Sequence, residues 1–343
     1  MTAPMTAAAA VAGLRQQVIR QVAHLLPAGK PYALVDFPNY PNVGDSAIWL
    51  GQLACLHALG RPAPRYVSDF GSHDDRELRR RIGNGAILLT GGGSFGDLWP
   101  TGQAFREAIL QQFRDNPIVQ LPQTLHFHER ASLDRARRIV NAHPDFTLLV
   151  RDRRSLELAR NEFRATSLLC PDMAFCLGPL ERPLQPVEPV LWLSRTDRES
   201  AFDPLPDAGR RADWLQGDAS MLRALTWRLG PLSRNLRIGR FARPLLVRAY
   251  GPLAHRRLRR GLELLACARA IITDRLHGHI LALLLGIPHV LLDNTYGKLS
   301  AFHATWTSSI TGVHMAKSAE AAWNLARELA DAAAAAPSPV ARG

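Results

Sequence analysis

Short apolar runs alternate with amphipathic helical patterns from about residue 30 onward, and this rhythm limits the possible folds more than any other feature of the chain. "YALVDF" (32–37), "RYVS" (65–68), "AILLT" (86–90), "PIVQL" (117–121), "FTLLV" (146–150) and "SLLC" (167–170) have the length and composition of buried strands. The segments between them, such as "SLDRARRIVNAH" (132–143), space their apolar residues as a helix does. Strand and helix in alternation give a parallel sheet with helices on both faces. "LGPLERPLQPVEP" (177–189) interrupts the series, because prolines at that density sustain neither helix nor inner strand. A second series follows in "VLWLS" (190–194), "AIIT" (270–273) and "HVLLD" (289–293). The expectation is an α/β protein of two domains facing a cleft. A helical extension spans 1–29, one domain 30–180, a second domain with a basic insert 187–330, and a disordered tail 331–343. A chain of 343 residues with 47% hydrophobic content has enough apolar material for two cores.

Charge narrows the partners. The formal net charge is +12, and Met221 to Arg260 contains eleven arginines and no acidic residue. An anionic partner is implied, whether nucleic acid, membrane surface or phosphorylated substrate. None of the sequence modules of nucleic-acid binding is present, so no nucleic-acid partner is expected. The arginines of 221–260 are interleaved with Leu, Ile, Trp and Phe, which suits peripheral contact with anionic lipid as well as it suits a solvated basic face. The four cysteines form no C-x-x-C pair and read as reduced core residues of a cytoplasmic protein. The N-terminal alanines lack the pattern of a signal peptide. The uncharged run Leu276–Leu292 is broken by "GIP" and three histidines, so it reads as helix, turn and strand rather than a membrane span.

In open α/β sheets ligands bind beyond the carboxyl ends of the strands, and the segments after each strand carry the candidate residues. "PNYPNVGDSAI" offers Asn42 and Asp45, with Asp45 or Ser46 as the cap of the next helix. "GGGSFGDLW" (91–99) formally satisfies G-x-G-x-x-G, but it follows a third strand with no helix directly behind it, so a dinucleotide site is rejected. Gly92 and Gly93 let backbone approach a ligand or another segment, and Asp97 is a turn residue or a carboxylate for a sugar hydroxyl. Gln123, His126 and His128 follow the fourth run. Arg151 follows the fifth, either as a structural clamp or as a fork of donors for an anion. "LSRTDRES" supplies Arg195, Asp197 and Arg198. "TDRLHGHILALLLG" places Arg275, Leu276, His277 and His279 at the start of a helix beside unpaired N–H groups. Metal spacing is absent, so no metal or other cofactor is expected. Arginine beside imidazole suits an anionic substrate that must be gripped and protonated.

With these residues in place the chain resembles the polysaccharide pyruvyl transferase family, in its bacterial exopolysaccharide branch. The resemblance is carried by "YALVDFPNYPNVGDSAI", "GGGSFGDLWP", "VQLPQT", "VRDRRSLE", "CPDMAF", "LSRTD" and "TDRLHGHILALLLGIPHVLLDNTYGKLSAFHATW". It implies two Rossmann-like domains in a GT-B-like fold. It also implies transfer of pyruvate from phosphoenolpyruvate, as donor substrate, onto two hydroxyls of a saccharide to form a ketal. By motif match Arg151, Arg275 and His277 are donor-site residues and His277 protonates the vinyl carbon. Lys298 of "NTYGK" helps hold the phosphate or caps a loop, and Asp45, Asp97 and His279 are candidates for the base. A saccharide acceptor carried on a lipid diphosphate would sit at the inner face of the plasma membrane. The competing class is a GT-B glycosyltransferase with a nucleotide-sugar donor.

Overall fold

The structure, a computed structural model, describes residues 5–26, 29–197, 199, 201, 205, 209–215, 220–235 and 238–335. The chain divides into two compact units, and neither is continuous in sequence. The first comprises Leu14–Leu177 and Gly217–Arg257; the second comprises Met1–Gly13, Gly178–Gln216 and Leu258–Gly343.

The first unit is built on strands β1 (Tyr32–Val35), β2 (Tyr66–Ser68), β3 (Ala86–Leu89), β4 (Gly92–Gly96), β5 (Ile118–His126), β6 (Phe146–Val150) and β7 (Thr166–Leu169). Every pairing is parallel and the order is β2-β1-β3-β5-β6-β7, with β4 also pairing with β5. Helices α1 (Ala7–Ala23), α2 (Val43–Ala58), α3 (Asp75–Ile82), α4 (Pro100–Gln112), α5 (Arg130–Ala142) and α6 (Arg153–Glu162) alternate with the strands, and a 3-10 turn, Met173–Leu177, closes the series. The helices form where apolar residues recur at helical spacing, and they bury that stripe: Leu133, Ala136 and Val140 of α5 join Ile118, Phe146 and Leu148 in one core. Polar caps start them: Asp74 accepts from Glu77 N at α3, and Asp152 from Ser155 N at α6.

Strand β4 departs from the sequence reading, which takes 91–96 as a glycine loop. Its glycines serve strand packing. A Cβ on Gly96, whose φ is +140°, would lie well inside contact distance of the His126 carbonyl on β5. Pro122 inside β5 lacks an N–H, and the register of β5 with β6 shifts across it, between Gln120 and Gln123.

The second unit holds β8 (Glu188–Leu193), β9 (Arg210–Ala212), β10 (Ala268–Thr273), β11 (His289–Leu291) and β12 (Val313–Met315), again all parallel, in the order β12-β11-β10-β8-β9. Between and after the strands come α7 (Met221–Leu232), α8 (Gly239–Ala266), α9 (Leu276–Leu284), α10 (Lys298–Trp306) and α11 (Ala319–Ala335). Helix α11 lays Ala322, Ala326 and Ala330, one residue per turn, against Val190, Ala270, Ile272 and Val290. It continues to Ala335, past the boundary of 330 set for the tail; residues 336–343 lie outside the described residues.

The basic stretch also departs from expectation. Its position in sequence assigns it to the second domain, yet α7 and residues 239–257 of α8 pack in the first unit. The anchors are specific. Thr226 donates to Asn39 Oδ1 (3.0 Å), Arg243 to the Ser72 carbonyl (3.0 Å) and Arg257 to the Pro38 carbonyl (2.9 Å), while Tyr250 stacks on Phe37 at 4.0 Å. Two of the eleven arginines thus serve the interior.

Candidate active site

Both sheets change direction once, and the candidate residues gather there. In the second unit the chain runs outward from β8 to β9 on one side and to β10 on the other, so the switch point lies between β8 and β10. These two strands end level, at Leu193 opposite Thr273. The next residues are Ser194-Arg195 and Asp274-Arg275. The pairing of the strands therefore sets the two arginines side by side at the crevice the topology creates.

Carboxylates hold both guanidinium groups. Arg275 donates through one nitrogen to both oxygens of Asp213 (2.6 and 2.7 Å), and that nitrogen lies 3.8 Å from Asp197. Arg195 makes a two-point pair with Asp197 (2.8 and 2.9 Å) and reaches Glu199 at 3.0 Å. Glu199 also accepts from Asn294 and Tyr296, both at 3.1 Å, and lies 3.6 Å from Lys298 Nζ. Lys298 is the first residue of α10, buried at 8% exposure. Asp274 accepts from Arg195 N (2.9 Å). Burial pushes its carboxyl up to about 6, against the pull of Arg275 and Arg195.

Helix α9 begins at this point. All nine of its residues are buried and no side chain caps its first turn, so the positive end of the helix dipole lies at Arg275 and Leu276. Arg275 is the N-cap, and its Nε, although buried, has no hydrogen-bond partner among the described residues. His277 sits in the same first turn. The helix lies hard against the sheet: a Cβ on Gly278 would come within 2.5 Å of Thr273 Oγ1 and 3.0 Å of Leu193 Cδ2.

In the first unit the sheet reverses between β1 and β3, and the residues beyond those strands are Asp36 and Thr90. Asp36 has φ +74°, the left-handed region that a residue with a side chain enters at a cost, and it alone among the described non-glycine residues does so. Burial pushes its carboxyl up to about 7; Arg106 opposes the rise and Asp45 and Asp69 add to it. Asp45 lies in the first turn of α2 and is hydrogen-bonded to Tyr40. Below them runs a buried polar layer. Arg106 donates to Gln120, Gln103 and Ser94, Thr90 donates to the Val35 carbonyl and to Gln52, and Gln52 Nε2 is buried without a partner among the described residues.

The family profile described as polysaccharide pyruvyl transferase matches residues 42–296, which include every group just named except Val35, Asp36, Tyr40 and Lys298. This chain belongs to that family. Pyruvyl transferase 1 of Schizosaccharomyces pombe is 32% identical over 311 residues, covering 84% of this chain and 72% of that protein. The EpsO protein of Bacillus subtilis is 29% identical over 318 residues, covering 90% and 96%. A crystal structure from Klebsiella pneumoniae superposes with a TM-score of 0.58 at 18% identity over 89% of this chain and 98% of that one, a likeness of fold alone. Membership of the family makes the chain a transferase of the pyruvyl type. Among the described residues of the transferase, no helix is long and apolar enough to cross a membrane.

Several residues singled out in the sequence fall elsewhere in the transferase. Arg151 is a clamp: fully buried, it donates to Asp172 (2.6 Å) and Thr124 (2.9 Å) at the end of β6. Asp97 accepts from the backbone of His128 (2.9 and 3.0 Å) and Glu129 (2.7 Å), which makes it the staple that starts α5. Gln123 ties Ser94 N to the Thr90 carbonyl from a fully buried position. His126 and His128 pair with each other at 3.0 Å. The cap of α2 is Asn42, which accepts from Gly44 N (2.9 Å), in place of Asp45 or Ser46. Gly92 lies near Asp45 and Gln123, at the edge of the Asp36 group, and Gly93 is the next residue of β4. Arg198 lies outside the described residues.

His279 is a core residue. His289 Nδ1 faces the Ile287 carbonyl (2.7 Å) and must donate to it, so its Nε2 accepts from His279 Nδ1 at 2.6 Å. His279 Nε2 then accepts from Thr307 Oγ1 (3.0 Å), which in turn accepts from His303. Burial drives His279 well below the usual histidine range and His289 down to about 4, so both are neutral at pH 7. Of the three histidines in the apolar run, only His277 stands at the helix mouth.

Sequence reasoning passed over Asp36, Asp213 and Glu199. A lone carboxylate after a strand has no special pattern, but three cations grouped beyond strands of one sheet call for counter-charges nearby, and that demand was the available signal.

Proposed function

We propose that the second unit binds phosphoenolpyruvate and that the transferase moves its pyruvate onto two hydroxyls of a saccharide as a ketal. The observation that carries the reading is Arg275, a buried guanidinium at the N-cap of α9 whose Nε has no hydrogen-bond partner among the described residues, with His277 two residues further on in the first turn. Asp213 and Asp197 fix the guanidinium planes; the remaining Nε of Arg275, at the positive end of the α9 dipole, is a donor for a small dianion. Arg195 and Lys298 add positive charge at the same crevice.

The chemistry needs one proton delivered and two removed. Protonated His277 gives its proton to the methylene carbon, leaving a cationic C2. A sugar hydroxyl adds there and loses its proton, phosphate departs, and a second hydroxyl closes the ketal. One hydroxyl proton restores the imidazolium and the other leaves with phosphate, so the sum is donor plus diol giving ketal plus phosphate. The first unit carries Asp36, whose affinity for a proton near neutrality is that of a general base, with Asp45 beside it. The GT-B-like reading, with a donor lobe and an acceptor lobe, belongs to the same proposal.

The test is phosphate release from phosphoenolpyruvate across a panel of free and lipid-linked saccharides, with nucleotide sugars offered in parallel. His277→Gln should lower kcat by roughly 10²–10⁴-fold with little change in KM, and Arg275→Lys should raise KM for the donor. Turnover of nucleotide sugars alone, or full activity in His277→Gln, would overturn the reading.

A further inference from the structure

Helix α7 has its polarity inverted. Its twelve residues include Met221, Leu222, Leu225, Trp227, Leu229 and Leu232, yet only Thr226 and Gly230 are buried. Met221 is 91% exposed and Trp227 74%. Helix α8 begins in the same way, with Phe241 61% and Leu245 54% exposed. A folded chain ordinarily withdraws such side chains, and a contiguous exposed apolar surface marks a contact site.

Basic residues frame these apolar tips. Arg223, Arg228, Arg234, Arg240, Arg248 and Arg256 are all exposed, and no acidic residue occurs between Met221 and Arg260. Arg240 lies over the Phe241 ring at 4.6 Å, so charge and aromatic surface are presented together. Both helices rest on the loops that follow β1 and β2. Thr226 bonds Asn39, and Arg243 and Tyr250 both bond Ser72. The inward residues hold the helices down, while Met221, Trp227, Phe241 and Leu245 keep more than half of their surface exposed.

We propose that this face, α7 with the first half of α8, is a docking surface for an anionic phospholipid bilayer. The inference stands apart from the donor chemistry. Charge complementarity selects the partner. A second copy of the chain would bring arginines against arginines. A nucleic acid would satisfy the guanidinium groups but leave Met221, Trp227 and Leu232 in water. A bilayer interface accepts both, since phosphate headgroups meet the arginines while aliphatic and aromatic tips enter the acyl boundary. Residues 221–257 then hold the first unit at the membrane, where a lipid-carried saccharide would be within its reach.

The experiment is sedimentation of the full chain with vesicles of phosphatidylcholine alone and of phosphatidylcholine with one part in four phosphatidylglycerol. One variant combines Met221→Ser, Trp227→Ser and Phe241→Ser; another combines Arg228→Gln, Arg240→Gln and Arg248→Gln. All six side chains are exposed, so both proteins should melt as the parent does, and a melting curve verifies it. The parent should bind the anionic vesicles and leave the neutral ones. Each basic residue near an anionic surface contributes about a fivefold factor, so the charge variant should lose roughly a hundredfold in partition. The apolar variant should lose roughly tenfold and abolish any blue shift of tryptophan emission. Equal partition onto neutral and anionic vesicles, no binding to either, or parental binding by folded variants would each overturn the proposal. So would displacement from vesicles by duplex DNA at matched charge, or a dimer in sedimentation velocity that the apolar variant dissolves.

Discussion

Replacing Asp36 by asparagine should make the protein more stable while removing its activity. Asp36 is costly twice over, through its left-handed backbone and through a carboxyl that burial raises from 3.8 to about 7. The sign follows from linkage. A raised folded-state pKa means that the folded protein binds the proton more tightly than the unfolded chain. Its contribution is fully present below pH 3.8 and is lost as pH rises through 7, so ionised Asp36 opposes folding at pH 8. At about 1.4 kcal/mol per unit the full shift corresponds to roughly 4 kcal/mol, and partial exposure of the residue reduces this to about 2 kcal/mol. Asparagine carries no charge and tolerates the left-handed region, so Asp36→Asn should raise the melting temperature at pH 8 by several degrees. At pH 5 the gain should fall to less than half, because Asp36 is then protonated and only the unfolded chain ionises. Differential scanning fluorimetry at the two pH values, with phosphate release measured on the same samples, gives the answer. A variant that melts lower than the parent at pH 8, or a gain equal at both pH values, would refute the account of Asp36 as a strained, proton-retaining carboxyl.

The buried pairs give two further expectations. Arg151→Leu should destabilise by about 3–5 kcal/mol in urea titration because Asp172 is left charged in the interior. Arg151→Leu combined with Asp172→Asn should recover part of that loss, which a donor-binding role for Arg151 does not predict. The neutral His279–His289 chain should make the protein acid-sensitive. A folded pKa of about 4 against 6.5 leaves stability intact above pH 6.5 and removes about 3 kcal/mol as pH falls to 4, and His289→Gln should flatten that part of the pH–stability curve.

Strand rhythm could be read because apolar runs such as "AILL" and "FTLLV" carry their own signal at strand length. Those that escaped lack it: β4 reads "GGSFG", and β9 and β12 are three residues each, with "RRA" indistinguishable from a loop. At the site, Arg275 and His277 could be found because a helix beginning at a strand end is visible in the pattern of "AIITDRLHGHILALL". Arg151 and Arg275 follow strands in the same manner, however, and only the surroundings separate them. One meets Asp172 and Thr124 in a closed interior at the end of β6, while the other forms the N-cap of α9 between Asp213 and Asp197. His277 and His279 differ by two residues, which turns a helix by more than half a revolution and sends one ring to the helix mouth and the other into the core. The unit to which the basic stretch belongs depends on Asn39, Ser72 and Pro38, residues far removed in sequence, and no local pattern announces contacts of that range.

The backbone passes between the two units at residues 13/14, 177/178, 216/217 and 257/258. During synthesis, the seven strands of the first sheet, the last ending at Leu169, leave the ribosome well before Arg257, the last inward anchor of the stretch that rests on the loops after β1 and β2. At roughly 5–20 residues per second that is an interval of several seconds with Phe37 and Tyr66 uncovered. Neither half can therefore be expressed alone by cutting at the proline-rich segment: a fragment ending at 177 would emerge missing its own lid, and its aggregation would be a matter of wiring rather than of a weak core.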